Sequence, residues 1–171
     1  MTETIDYRPF APPLPAHRAR ALPWATVVAG SLLTCVPMIA VAPILPPFGL
    51  LVLLAWRLLA RFALRPWAAA PLGLFDDLVS GQPLGSAVLL WSGCFLAIDL
   101  VEQRLAFRDF WQDWLIAGSL IACVLIAGRL IATPLSAHVE PAIALQIMVS
   151  VLLFPAASRL VGWIDRKRGQ E

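Results

Sequence analysis

Charge is scarce in this chain. Only 14% of its 171 residues are Asp, Glu, Lys or Arg, against about 25% in an average soluble domain, while 60% are hydrophobic. That balance excludes a single soluble core and points to an integral membrane protein. The residues that membrane hydrolases need are also missing. There is no HExxH metal motif, no serine in a GxSxG frame and no Gly-rich phosphate loop, so metal-assisted, nucleophilic and nucleotide chemistry lack their parts. Cys35, Cys94 and Cys123 each sit inside an apolar run without CxxC spacing, which reads as small packing residues. A net charge of +2 is too small to suggest nucleic acid. The first twenty residues carry Glu3, Asp6 and several prolines in place of the basic start and apolar core of a cleavable signal.

What the chain does have is a series of apolar segments, enough for about six helices at roughly 20 residues each. The expected fold is an all-α membrane bundle: a proline-rich cytoplasmic tail over 1–23, a six-helix transmembrane domain over 24–164 and a basic cytoplasmic end over 165–171. The spans are expected near 24–45, 48–64, 67–80, 84–101, 115–131 and 141–161. Pro37 should kink the first. Arg57, Arg61 and Arg65, spaced by four, should share one face of the second. The third is short, which favours a central or interface position. The connector with Phe107, Phe110, Trp111 and Trp114 reads as an amphipathic turn in the membrane interface. Gly118, Ala122 and Gly128 permit close helix approach in the fifth.

Lys and Arg collect in the loops that stay cytoplasmic. Six spans place Arg8, Arg18, Arg20, Arg61, Arg65, Arg104, Arg108, Arg166, Lys167 and Arg168 on one side, leaving only Arg129 at a border on the other. Both termini are therefore expected in the cytoplasm. Asp76 and Asp77 then fall near the outer end of the third helix, with Arg129 near the outer end of the fifth, which suggests an ion pair between Arg129 and one of the aspartates. By the same depth argument Arg57 should meet Asp99 or Glu102 on the cytoplasmic side.

The stretch from Gly73 to Gly85, GLFDDLVSGQPLG, is the most distinctive. A charge in hydrocarbon costs about 2.5–3.5 kcal/mol on insertion scales, so twin aspartates need a reason to be there. Paired carboxylates can do acid–base work, but neighbours on a helix point about 100° apart and do not easily share one substrate atom. The stretch reads as a structural and docking element, and the chain as no enzyme, with no cofactor and no metal.

From Leu50 to Gly85 the chain, LLVLLAWRLLARFALRPWAAAPLGLFDDLVSGQPLG, resembles the rod-shape-determining MreD family. The shared pattern is an apolar helix ending in a tryptophan-containing basic segment, then a proline and an aromatic, a Gly-Leu-rich helix with an Asp, and a Ser-Gly turn closing in Pro-Leu-Gly. On this likeness Asp77 matches the family carboxylate, Gly73 the helix glycine, and Ser80, Gly81, Pro83, Leu84 and Gly85 the turn; Asp76 has no counterpart. The resemblance implies a non-catalytic subunit of the cell-elongation machinery in the bacterial inner membrane. It would bind MreC and, through it, MreB filaments, RodA and its partner transpeptidase, helping to position peptidoglycan synthesis. The family's likeness to the substrate-binding membrane subunits of vitamin transporters supplies an alternative. That alternative needs polar groups converging on a ligand, for which Asp76, Asp77, Arg129, His138 and Glu140 are candidates.

Overall fold

The computed structural model describes residues 16–34, 45–60, 63–104, 109–132 and 141–170. The described residues form six α-helices and one short 3-10 turn: α1 (Ala16–Leu33), α2 (Phe48–Leu59), the 3-10 turn Pro66–Ala68, α3 (Ala69–Ser80), α4 (Ser86–Arg104), α5 (Phe110–Ala132) and α6 (Pro141–Gln170). Apolar segments within α4, α5 and α6 are long enough to cross a bilayer, and Ala21–Leu33 and Phe48–Leu59 are shorter apolar helices. The 23 residues of α5 extend about 34 Å at 1.5 Å per residue, enough for a hydrocarbon core of about 30 Å.

The centre of the bundle is α2. All of Gly49 to Leu58 except Val52 is buried, and α2 touches α1, α4, α5 and α6. Its all-round apolar sequence allows this, since a helix without a polar face needs no solvent. Small residues bring its neighbours close: a Cβ on Gly30 of α1 would lie 3.1 Å from the Phe48 backbone. Trp56 buries its indole yet satisfies its N–H, which donates to Thr26 Oγ1 of α1 at 2.8 Å. Of the central or interface position expected of the third span, the central place thus belongs to the second. Short α3 packs on α4 and α1 and exposes Leu74 and Leu78.

Several element ends differ from the sequence reading. Helix α1 begins at Ala16, before the expected start at Trp24, and carries Pro23 inside it. Pro37 and the prolines of the tail before Ala16 lie outside the described residues. Helix α2 stops at Leu59, so Arg57 and Arg65 do not share one helical face. Pro66 disfavours helical backbone at the residue before it, and Arg65 is extended, with φ −74° and ψ 154°; Arg61 lies outside the described residues. Phe110, Trp111 and Trp114 belong to the opening turns of α5 instead of a separate interfacial turn, packed edge to face at 6.3 and 5.7 Å between ring centres. Helix α6 continues to Gln170, with Lys167 over the Trp163 ring at 4.0 Å.

One proline in this bundle is compensated by a neighbouring helix. Pro155 of α6 has no N–H to give the carbonyl four residues back, that of Val151. The Trp114 indole of α5 donates to that same carbonyl at 3.0 Å.

Candidate functional site

The turn between α3 and α4 is built from its own sequence. Helix α3 ends on Gly81, whose φ of 68° lies in the left-handed region that side chains resist. Ser80 Oγ donates to the Asp76 carbonyl at 2.7 Å. The Ser86 N–H donates to the Pro83 carbonyl at 3.1 Å, and Gly85 follows with φ 97°. Two turns before Gly81, Gly73 lets the two helices touch. A Cβ there would lie 2.8 Å from the carbonyl carbon and oxygen of Ala87, so any other residue would push α4 away.

Asp77 locks this hairpin. It is 1% exposed. Its Oδ2 accepts the Gly85 N–H at 2.8 Å, and its Oδ1 accepts the Ser86 hydroxyl and the Ala87 N–H at 2.9 Å each. A carboxylate from one helix thus caps the start of the next, taking donors that a helix leaves unpaired and facing its positive dipole end. Gly73, Asp77, Ser80, Gly81, Pro83 and Gly85 are all brought together in this one hairpin.

Asp76 points elsewhere. It lines a cavity of about 240 Å³ where the start of α2, the end of α3, the start of α4, the end of α5 and the start of α6 meet. That convergence also shows that the helices alternate in direction. Arg129 lines the same cavity, so of the two aspartates expected near Arg129 it is Asp76 that shares its space. The Ser31 hydroxyl of α1 lies beside the Asp76 carboxylate, with Gly49 fitting between them. Gln82 and Gln146 complete the polar rim, and Gln146 Nε2 also donates to the Leu45 carbonyl at 2.5 Å. Gln146 was not legible beforehand, because one amide in an apolar helix has no spacing signal. His138 and Glu140 lie outside the described residues.

At the opposite end, buried Arg57 of α2 hydrogen-bonds Asp99 of α4 and lies 3.5 Å from Glu102. Its guanidinium stands 5.6 Å from the centre of the Phe95 ring. One cation between two carboxylates ties the central helix to α4 at the level where both end. Phe95 was not foreseen here, since its apolar neighbours hide it.

The arrangement joins and spaces helices. Asp76 and Asp77 diverge, one into a cavity and one into a hairpin, so they do not act on a common atom. Among the described residues no cluster of His, Cys, Asp and Glu could hold a metal ion. In comparison with known proteins, the family model described as rod shape-determining protein MreD matches residues 19–162. No curated protein and no solved structure gives a significant match.

Proposed function

The chain belongs to the MreD family of rod shape-determining proteins, which are membrane proteins and not enzymes, and from that we propose that it is a scaffold subunit of the cell-elongation machinery in the bacterial inner membrane. It crosses that membrane six times with both termini in the cytoplasm. It binds the single-span protein MreC and, through it, helps to position MreB, RodA and its transpeptidase for peptidoglycan synthesis.

The observation that carries this reading is the length of α3. Its 12 residues extend about 18 Å, short of a hydrocarbon core of about 30 Å. Yet it presents Leu74 and Leu78 outward, 45% and 65% exposed. A short apolar helix at the edge of a bundle leaves a mismatch that a neighbouring helix relieves. Since lipid offers no hydrophobic drive between helices, a rigid, closely packed surface is what a partner helix requires, and the Asp77-locked hairpin supplies one. The alternative, a small-molecule-binding subunit of a vitamin-type transporter, would use the cavity beside Asp76. At about 240 Å³ it is smaller than the roughly 300–1,000 Å³ usual for such ligands.

Two experiments test the reading. Depletion of the chain should round rod-shaped cells, with rescue by the intact gene; unchanged shape would overturn the function. Cysteines placed at Leu74 and Leu84 should cross-link to the transmembrane helix of MreC. Cross-linking from α5 positions alone would move the docking surface elsewhere.

A further inference from the structure

A second hollow, of about 360 Å³, runs between α1, α2 and α6. Its walls include Thr26 and Leu33 of α1, Phe48 and Val52 of α2, and Leu153 and Ile164 of α6. Thr26 is the one polar residue among the described residues that line it. Its hydroxyl is already engaged, donating to the Pro23 carbonyl at 2.9 Å and accepting the Trp56 indole N–H at 2.8 Å. A water or a polar guest in the groove would therefore lack the partners it needs. From Leu153 to Ile164 the groove follows α6 for about 16 Å at 1.5 Å per residue, one leaflet of a hydrocarbon core of about 30 Å. That stretch is the half of the apolar segment Ile143–Lys167 nearer the C-terminus.

Beyond Ile164 the helix turns basic. Lys167 lies three residues past Ile164 and seven past Leu160, both of which line the groove, so it continues their row on the helix surface. Its ammonium stands 4.0 Å from the centre of the exposed Trp163 ring, which leaves N–H groups for another acceptor. Arg159 and Arg166, four before and three after Trp163, are exposed on the same side of α6. Neither arginine makes an ion pair with a described residue. Asp165 turns inward, with its Oδ1 buried. Arg159 lies within the apolar segment itself, where an exposed charge calls for an anionic partner, and its long side chain reaches along the helix toward the interface.

Length, lining and charge together decide what covers this face. A partner helix would cross both leaflets, whereas the groove ends after one. A helix about 10 Å across would also need roughly 1,200 Å³ over that length, against about 360 Å³ here. One acyl chain crosses a single leaflet and needs no hydrogen bond. At roughly 30 Å³ per methylene, about the liquid share of a water, the groove holds about a dozen. The basic residues past its C-terminal end then select a head of net negative charge.

We propose that this groove binds one acyl chain of an anionic phospholipid, in the leaflet on the C-terminal side of α6. The headgroup phosphate sits at Lys167, with the exposed guanidiniums of Arg159 and Arg166 on the same face. The site depends on the bundle lying in a bilayer, and not on which protein docks against α3.

The test uses the full chain, purified in detergent and exchanged against single lipids of matched acyl chains, with retained lipid counted by native mass spectrometry. Phosphatidylglycerol should be held about tenfold more tightly than phosphatidylcholine, the scale of one or two basic residues facing an anionic head. Lys167→Gln should lower that preference about fivefold. Ala156→Phe puts a ring into the groove from an exposed position and should reduce retention of both lipids. Arg104→Gln, an exposed arginine at the end of α4, should change neither. Equal retention of the two lipids by the wild-type chain would overturn the proposal without recourse to any variant, and so would unchanged retention by Ala156→Phe. In native membranes Leu160→Cys should cross-link to no protein. Cross-linking there to a second copy of the chain, or to another membrane helix, would overturn the lipid assignment in favour of a protein. Loss of the Leu74 and Leu84 cross-links to MreC with lipid preference intact would fault the scaffold surface and leave this site standing.

Discussion

The carboxylate of Asp77, on α3, accepts the backbone N–H of Ala87 at 2.9 Å and so caps α4 from the preceding helix. Most caps come from the residue just before a helix. Here the cap comes from ten residues back, which fastens the two helices to each other as well as closing the first turn. Asp77→Ala would strand the Gly85 and Ala87 N–H groups and the Ser86 hydroxyl. A loss of about 3 kcal/mol is expected, the upper range for hydrogen bonds to a charged group. Asp77→Asn keeps one acceptor oxygen and should lose roughly half as much. Unfolding in mixed micelles measures both; equal effects of the two changes would refute the cap.

The glycines of this region should separate by mechanism. Gly73→Ala puts a methyl 2.8 Å from the Ala87 backbone, where neither side yields without moving a helix, and should cost about 1–3 kcal/mol as overpacking does. Gly81→Ala meets nothing within 4 Å but must adopt φ 68°, a strain of about 1–2 kcal/mol. Gly93, within α4, has open space around it, so Gly93→Ala should stabilise by up to about 1 kcal/mol through helix propensity. The order of the three stabilities is the check, and Gly93→Ala is the informative member because it alone should gain.

Arg57 should prove asymmetric with its partners. Its side chain is 7% exposed, against 31% for Asp99. Removing the cation with Arg57→Leu leaves two carboxylates without it and should cost about 3–5 kcal/mol, as breaking buried pairs does. Asp99→Asn should cost less, because Glu102 already stands 3.5 Å from the same guanidinium. Combining Arg57→Leu with Asp99→Asn should cost less than the sum of the two, since each single change removes the same contact. Additive losses in this double-mutant cycle would mean that the pair contributes nothing.

How far these features could be read in advance depends on how local their causes are. The α3–α4 turn was legible because Ser80, Gly81, Pro83 and Gly85 act through their own backbone preferences, and Gly73 through its lack of a side chain. The Arg57–Asp99 contact followed from depth, which alternating spans and charge placement both constrain. The arginine stripe failed because spacing by four assumes an unbroken helix, and Pro66 changes the backbone of Arg65. The end of α6 was missed because Arg166, Lys167 and Arg168 are good helix formers; charge marked the membrane's edge without marking the helix's end. The central place of α2 was hidden for another reason. In a chain where nearly every helix is apolar, composition does not distinguish a lipid-facing surface from a protein-facing one.

The same limit hid the contact between Trp114 and the Val151 carbonyl, and it gives the most discriminating prediction. Pro155 deprives that carbonyl of its helical donor, and the Trp114 indole replaces it at 3.0 Å. Trp114→Phe keeps the aromatic bulk but strands the carbonyl away from water, at a cost of about 1–3 kcal/mol. Pro155→Ala restores an N–H four residues after Val151, so the backbone can close its own bond there. In the Pro155→Ala background, Trp114→Phe should therefore lose most of its effect. If the indole instead matters only for packing, the cost will be the same with and without Pro155. The comparison separates a tryptophan that fills space from one that completes another helix's hydrogen bonding.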